Sequence, residues 1–299
     1  MMNAGTRHLV TRRGVLGLSL AGLVALGASR SARAAASESF ADRLAALEAR
    51  AGGRLGVAVL DTNGATRLAY RGDERFPMCS TFKFLLAAAI LQSVDTGKEH
   101  LDRRISYGQG DILEYAPVAK EHVGEGSMTL EALCAAALEL SDNTAANLLL
   151  QVLGGPAAFT AFCRSLGDET TRLDRIEPAL NEALAGDDRD TTTPMAMLGC
   201  MEQVLLADAL TPASRAHLEH WMVSAKTGPK RLPASIPAGA RVGHKTGTGE
   251  RGTANDIAIV WPFDRKPVLI AAYLTGAPGS ADARDAVIAE AGRIVFASL

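Results

Sequence analysis

Residues 54–72 read RLGVAVLDTNGATRLAYRG, two short apolar runs on either side of Asn63-Gly64. An Asn-Gly pair between alternating apolar runs predicts a tight turn and an antiparallel hairpin. Strand patterns then stop. From Phe76 to about Val223 the periodicity is helical, in TFKFLLAAAILQSV, TLEALCAAALEL, TAANLLLQVLG and PMAMLGCMEQVLLA. Strands return after Ala240 as RVGHKTGTG, NDIAIVWP and PVLIAAYLTG, and a last helix is expected from about Asp282 to Ala297. A further helix is expected in SFADRLAALEAR, ahead of the hairpin. Strands from both chain ends around a helical middle imply one antiparallel sheet with a helical domain inserted. The expected organisation is an α/β fold of α+β type, with five strands in the sheet. Residues 38–72 and 224–299 form its sheet part, and residues 73–223 form an all-α part. Sites in such folds tend to lie in the cleft between the two parts.

The totals narrow the function. The chain has 299 residues, 47% hydrophobic, with a formal net charge of -2, enough for a large core. That balance gives no basic footprint for nucleic acid or an anionic membrane. Aromatic residues are 5% of the chain, too few for a base-stacking platform. An enzyme acting on a small molecule is the reading left standing.

Residues 11–34, TRRGVLGLSLAGLVALGASRSARA, pair Arg12 with Arg13 ahead of an apolar run and close on Ala32-Arg33-Ala34. This reads as an export signal over residues 1–34, of the twin-arginine kind, cleaved at or near Ala35. The run is shorter than the roughly 20 residues a membrane span needs. The expected product is a monomer, periplasmic or secreted, without stable membrane association. An exported chain could pair its four cysteines, Cys79, Cys134, Cys163 and Cys200. Three of them sit in apolar helical stretches and none fits a zinc spacing, so buried free thiols are expected.

Four stretches carry candidate chemistry. In MCSTFKFLLAAAI, residues 78–90, Ser80 and Lys83 lie three apart at the head of an apolar helix. On one helical face, an amine there can take a hydroxyl proton and activate it as a nucleophile. The plainer alternative is a capping hydroxyl beside a solvated lysine. In ELSDNTAANLLL, Ser141, Asp142 and Asn143 fall between two helices, where all three types are also common caps. In VGHKTGTGERGTANDIAIVWP, Lys245-Thr246-Gly247 closes a strand whose edge could pair with an extended substrate. Residues 171–194, TRLDRIEPALNEALAGDDRDTTTP, form a long polar loop, uncommon in a compact domain unless functional.

S-x-x-K, S-D-N and K-T-G in this order are the set shared by class A β-lactamases and penicillin-binding proteins. RIEPALN, residues 175–181, further resembles the omega loop of class A β-lactamases. The resemblance runs from about residue 38 to 299.

The resemblance implies the following roles. Ser80 attacks the lactam carbonyl, and its proton passes to Lys83 or, through a water, to Glu177. Backbone N–H groups of Ser80 and Thr248 form the oxyanion hole. Ser141 relays a proton to the leaving nitrogen. Lys245, Thr246, Thr248 and Arg231 hold the substrate carboxylate, Asn143 binds the acyl side chain, and Tyr115 lines the cleft entrance. Glu177 and Asn181 place the hydrolytic water, and Arg175 with Asp190 closes the loop. No cofactor and no metal is implied; the partners are β-lactams, not nucleic acid.

The sequence also departs from the family. Cys79 lacks the partner that the carbapenem-hydrolysing branch carries just past K-T-G, where Gly249 stands here. Cys134 likewise lacks its partner, the position being Ala87, and His244 replaces an acid before Lys245. Ala254 stands where other members place an arginine, which leaves that task to Arg231. A D-alanyl-D-alanine peptidase or a β-lactam sensor would lack RIEPALN, and a serine glutaminase would lack the loop. A metal-dependent lactamase would need an H-x-H-x-D array that the six histidines do not form. His217 and His220 read instead as an exposed helical pair.

Overall fold

The computed structural model describes residues 39–263 and 265–299; the export signal expected over residues 1–34 lies outside them. Helix α1 (Phe40–Ala51) leads into strands β1 (Arg54–Asp61) and β2 (Thr66–Tyr70), the expected hairpin. Short strand β3 (Phe76–Pro77) precedes α2 (Phe82–Asp95), β4 (Arg104–Ser106), α3 (Ala119–His122) and β5 (Ser127–Thr129). Helices α4 (Leu130–Glu139), α5 (Asn143–Leu153) and α6 (Pro156–Ser165) follow. Beyond the long loop come β6 (Thr191–Thr192), α7 (Pro194–Leu205) and α8 (Pro212–Val223). Strands β7 (Arg241–Gly249), β8 (Thr253–Trp261) and β9 (Val268–Thr275) and helix α9 (Ala281–Phe296) complete the chain.

The expected five-stranded sheet forms in the order β2-β1-β9-β8-β7, every pairing antiparallel. Its central strands are buried on both faces, so they read as continuous apolar runs rather than alternating ones. The strand period then divides their side chains between two cores. Leu269, Ala271 and Tyr273 of β9 join the core that contains α2, α4, α5 and α7. Ile270, Ala272 and Leu274 join the opposite core, with α1 and α9. Helix α2 has no polar face: every residue from Phe82 to Leu91 is buried, Lys83 included. Such a helix is a core element, and whatever it carries is held rigidly.

The sequence led us to expect an uninterrupted helical stretch from Phe76 to Val223. The structure breaks it with two small antiparallel pairs, β3 with β6 and β4 with β5. Strands of two or three residues carry no readable periodicity, which is why they were hidden. The first pair matters for the site. It sets Phe76 against Thr192 and Pro77 against Thr191, so the end of the long loop is tied beside the segment leading to Ser80.

Candidate active site

Ser80 stands on a 3-10 turn, Cys79–Thr81, one step ahead of α2 rather than on the α-helix itself. Met78 donates its backbone N–H to the Asp190 carbonyl at 2.9 Å, which docks this turn against the loop. Neither hydroxyl there acts as a helix cap. Thr81 Oγ1 donates to the Met78 carbonyl at 2.8 Å, and Ser80 Oγ points to Glu177 Oε1 at 3.3 Å. Nor is Lys83 solvated. Its buried ammonium lies 3.0 Å from Glu177 Oε1 and donates to Asn143 Oδ1 at 2.6 Å and to the Ser141 carbonyl at 2.8 Å. Burial pulls the Lys83 ammonium below the ordinary lysine range, while the Glu177 charge works against that fall.

Ser141 sits between α4 and α5 with a positive φ of 60°, a conformation that turns it into the cleft. Asp142 caps α5 through Ala145 N–H and also accepts the N–H groups of Val118 and Ala119, each at 2.9 Å. The S-D-N turn therefore uses Asp142 as the cap and frees its neighbours for the site. Ser141 Oγ accepts from Lys245 Nζ at 3.0 Å and lies 3.4 Å from Lys83 Nζ. One hydroxyl thus joins two buried lysines. Lys245, fully buried, is depressed well below its ordinary value by desolvation and then by the Lys83 charge, with Asp256 and Glu177 opposing.

Glu177, buried within the loop, is fixed at both ends. Asn147 on α5 accepts its N–H at 3.0 Å and donates to its carbonyl at 2.9 Å. Asn181 Nδ2 donates to Glu177 Oε2 at 2.5 Å, while Asn181 Oδ1 is buried without a protein partner. The Glu177–Pro178 peptide bond is cis. Across the loop neck, Arg175 Nε meets Asp190 Oδ2 at 2.6 Å, the expected ion pair. Asp190 Oδ1 also accepts the N–H groups of Asp174 and Arg175, and Arg175 adds a second bridge to Glu182.

The cleft beside these groups encloses about 360 Å³ and is lined by Ser80, Tyr115, Ser141, Asn143, Thr246 and Arg231, among others. Tyr115 is half exposed at its rim. Along its opposite wall, Thr246 Oγ1 lies 2.7 Å from Thr227 Oγ1. Arg231 is buried, with four of its five N–H donors engaged and one Nη2 donor left at the cleft. Its guanidinium donates to the Gly247 and Asn255 carbonyls and to Thr248 Oγ1, each at 2.8 Å, and pairs with Asp285 at 2.7 Å. Of the residues that the sequence singled out, Ser80, Tyr115, Ser141, Asn143, Asn181, Arg231, Thr246 and Thr248 line this cleft. Lys83, Glu177 and Lys245 contact that set from behind, and Arg175 with Asp190 stands apart at the loop neck. Asn147, Asp256 and Asp285 were missed. Asn147 had a signal: one amide inside the apolar run TAANLLL, one turn beyond Asn143.

All four cysteines are buried and free. A Cβ built on Gly249 would lie 2.6 Å from Cys79 Sγ, so the position opposite Cys79 is the one the sequence indicated. Among the described residues no cluster of metal-ligating side chains occurs.

A sheet with helices on both faces, and a buried serine facing a carboxylate and a lysine in a cleft, defines a hydrolase of the β-lactamase type. The model of the β-lactamase enzyme family matches residues 39–299, and the chain belongs to that family, as a class A member. β-Lactamase OXY-2 of Klebsiella oxytoca is 44% identical over 280 residues, covering 94% of this chain and 96% of that protein. β-Lactamase CTX-M-97 of Escherichia coli is 46% identical over 261 residues, covering 87% and 89%. Among solved structures, an ancestral class A β-lactamase shares 63% identity over 87% of this chain and all of that one, with a TM-score of 0.86.

Proposed function

We propose that the chain opens the β-lactam ring of penicillin- and cephalosporin-type antibiotics through an acyl-enzyme on Ser80. The observation that carries this is Glu177, whose Oε1 lies 3.3 Å from Ser80 Oγ and 3.0 Å from Lys83 Nζ. Lys83 donates to three acceptors, so Glu177 is the proton acceptor that the serine faces, and Lys83 holds its carboxylate beside Ser80. Ser80 Oγ bonds to the lactam carbonyl carbon as its proton leaves. The oxyanion is met by the N–H groups of Ser80 and Thr248, each such donor worth roughly 3–4 kcal/mol. Ser141 gives its proton to the ring nitrogen as the C–N bond breaks and is reprotonated by Lys83, which recovers a proton from Glu177 and so leaves that carboxylate charged for deacylation.

Lys245, Thr246, Thr248 and Arg231 supply the positive charge and donors for the substrate carboxylate. Asn143 is placed for the acyl side chain. Deacylation then needs a water between Glu177 and Asn181. The unpartnered Asn181 Oδ1 is a natural acceptor for it, and Glu177 is the base. The protein acts, in this reading, as an exported monomer in the periplasm or outside the cell.

The test is hydrolysis of a penicillin, a cephalosporin and a carbapenem by the purified chain, with intact mass followed in parallel. Turnover with transient acylation of Ser80 is expected. A stable adduct without turnover would overturn the hydrolytic half of the mechanism.

A further inference from the structure

Asp256 on β8 is a fully buried carboxylate that touches none of the reacting groups. A buried charge is costly unless its oxygens are well satisfied, so its partners indicate what it is for. They come from two other segments. Leu232, the residue after Arg231, donates its backbone N–H to Asp256 Oδ2 at 3.1 Å. His244 of β7, buried beside Lys245, brings Nδ1 to within 3.0 and 3.2 Å of the two oxygens. Asp256 therefore ties the turn that carries Arg231 to the strand that carries Lys245, Thr246 and Thr248. The guanidinium of Arg231 reaches that same strand through Gly247 and Thr248.

Resting on the carboxylate-binding role given above to Arg231, we infer that Asp256, with His244, is a positioning residue for substrate-carboxylate recognition. It acts through Arg231 by hydrogen bonding and does not touch the substrate. Losing it frees the turn, so the penalty falls on binding rather than on the chemical step.

The test is steady-state kinetics with benzylpenicillin on the full chain. Asp256→Ala is expected to raise KM about tenfold, comparable to losing one buried hydrogen bond, with kcat within about threefold. Asp256→Asn keeps an acceptor for Leu232 and a donor for a neutral His244, and should restore most of the affinity. In an Arg231→Ala background, Asp256→Ala should add nothing. An unchanged KM, losses that multiply in the double variant, or an Asn variant as impaired as the Ala variant would each overturn the inference. The last would mean that Lys245 feels the lost charge instead. Should Asp256→Ala not fold, His244→Ala removes the other half of the tie and is read in the same way. Should the parent chain show no turnover, the carboxylate-binding reading fails by itself. Hydrogen exchange at the Leu232 amide then decides the tie: faster in Asp256→Ala upholds it, unchanged refutes it.

Discussion

Asn147 brackets the backbone of Glu177, accepting its N–H at 3.0 Å and donating to its carbonyl at 2.9 Å. Glu177, the base in the mechanism proposed above, is thus held from α5, a core helix, and not only by its own loop. Asn147→Leu keeps the size but leaves a donor and an acceptor without partners, at a cost of about 1–3 kcal/mol. A lower denaturation midpoint together with a fall in kcat is expected. Full activity in a destabilised variant would show that Glu177 is positioned by the loop alone.

Glu177→Ala separates the two halves of the reaction. Ser80 can still attack, more slowly, because Lys83, freed of its carboxylate partner, takes the serine proton in place of Glu177, but the ester has no base to activate water. Loss of a positioned general base lowers a rate by roughly 10²–10⁴. Intact mass should show the acyl-enzyme accumulating to nearly one equivalent with penicillin. Turnover at the parental rate would remove Glu177 from the mechanism.

The hairpin, strands β8 and β9 and the last helix were legible because each rests on local chemistry: a turn dipeptide, an apolar run, a 3.6-residue period. The four motif stretches were legible by resemblance, and the fold brings them into one cleft. What was hidden lies at long range. The β3–β6 pairing is too short to leave a pattern, and Asp256 reads in sequence as one of three polar residues at the head of a strand. Only the approach of Leu232 and His244 gives that carboxylate a purpose. Likewise, nothing local in S-x-x-K says that Lys83 is buried, since that follows from the helices packed around α2.

The Arg175–Asp190 bridge closes the loop at a carboxylate that is almost fully buried. Asp190→Asn would set an amide N–H2 against one of the donors that now meet the carboxylate. A hydrogen bond to a charged group is worth about 1.5–3 kcal/mol, and a loss of that size is expected. The amides of Leu180 and Asn181, bonded within the loop to Ile176 and Pro178, should exchange faster. Unchanged protection there would mean that the Asn147 clamp suffices to hold the loop.

Lys245 makes stability depend on pH in a definite direction. Burial holds its folded value well below the ordinary 10.5 that the unfolded chain retains. Between those two values the unfolded state binds more protons, so this lysine's contribution rises with pH and levels off above 10.5. The buried thiols of Cys79 and Cys134, pushed up by desolvation, act in the opposite sense at alkaline pH. Comparing the parent with Lys245→Met cancels them. The parent-minus-variant difference in unfolding free energy should climb as pH rises from neutrality toward 10. A flat difference would show that Lys245 is not depressed.

Gly249 ends β7 where strand, nucleophile turn and loop meet. An added Cβ would lie 2.6 Å from Cys79 Sγ and 2.8 Å from the Asn181 carbonyl oxygen, closer than real contacts allow. That carbonyl accepts Glu250 N–H at 2.9 Å, and the side chain of the same residue holds Glu177 Oε2. Gly249→Ala must therefore displace either the thiol or the residue whose side chain holds Glu177. Overpacking of this kind costs about 1–3 kcal/mol. Deacylation should slow more than acylation, seen as a larger fraction of acyl-enzyme by intact mass during steady turnover. Gly110→Ala is the control, because its Cβ meets nothing within 4 Å. If Gly249→Ala matches that control in both stability and acyl-enzyme fraction, the strand end does not constrain Asn181.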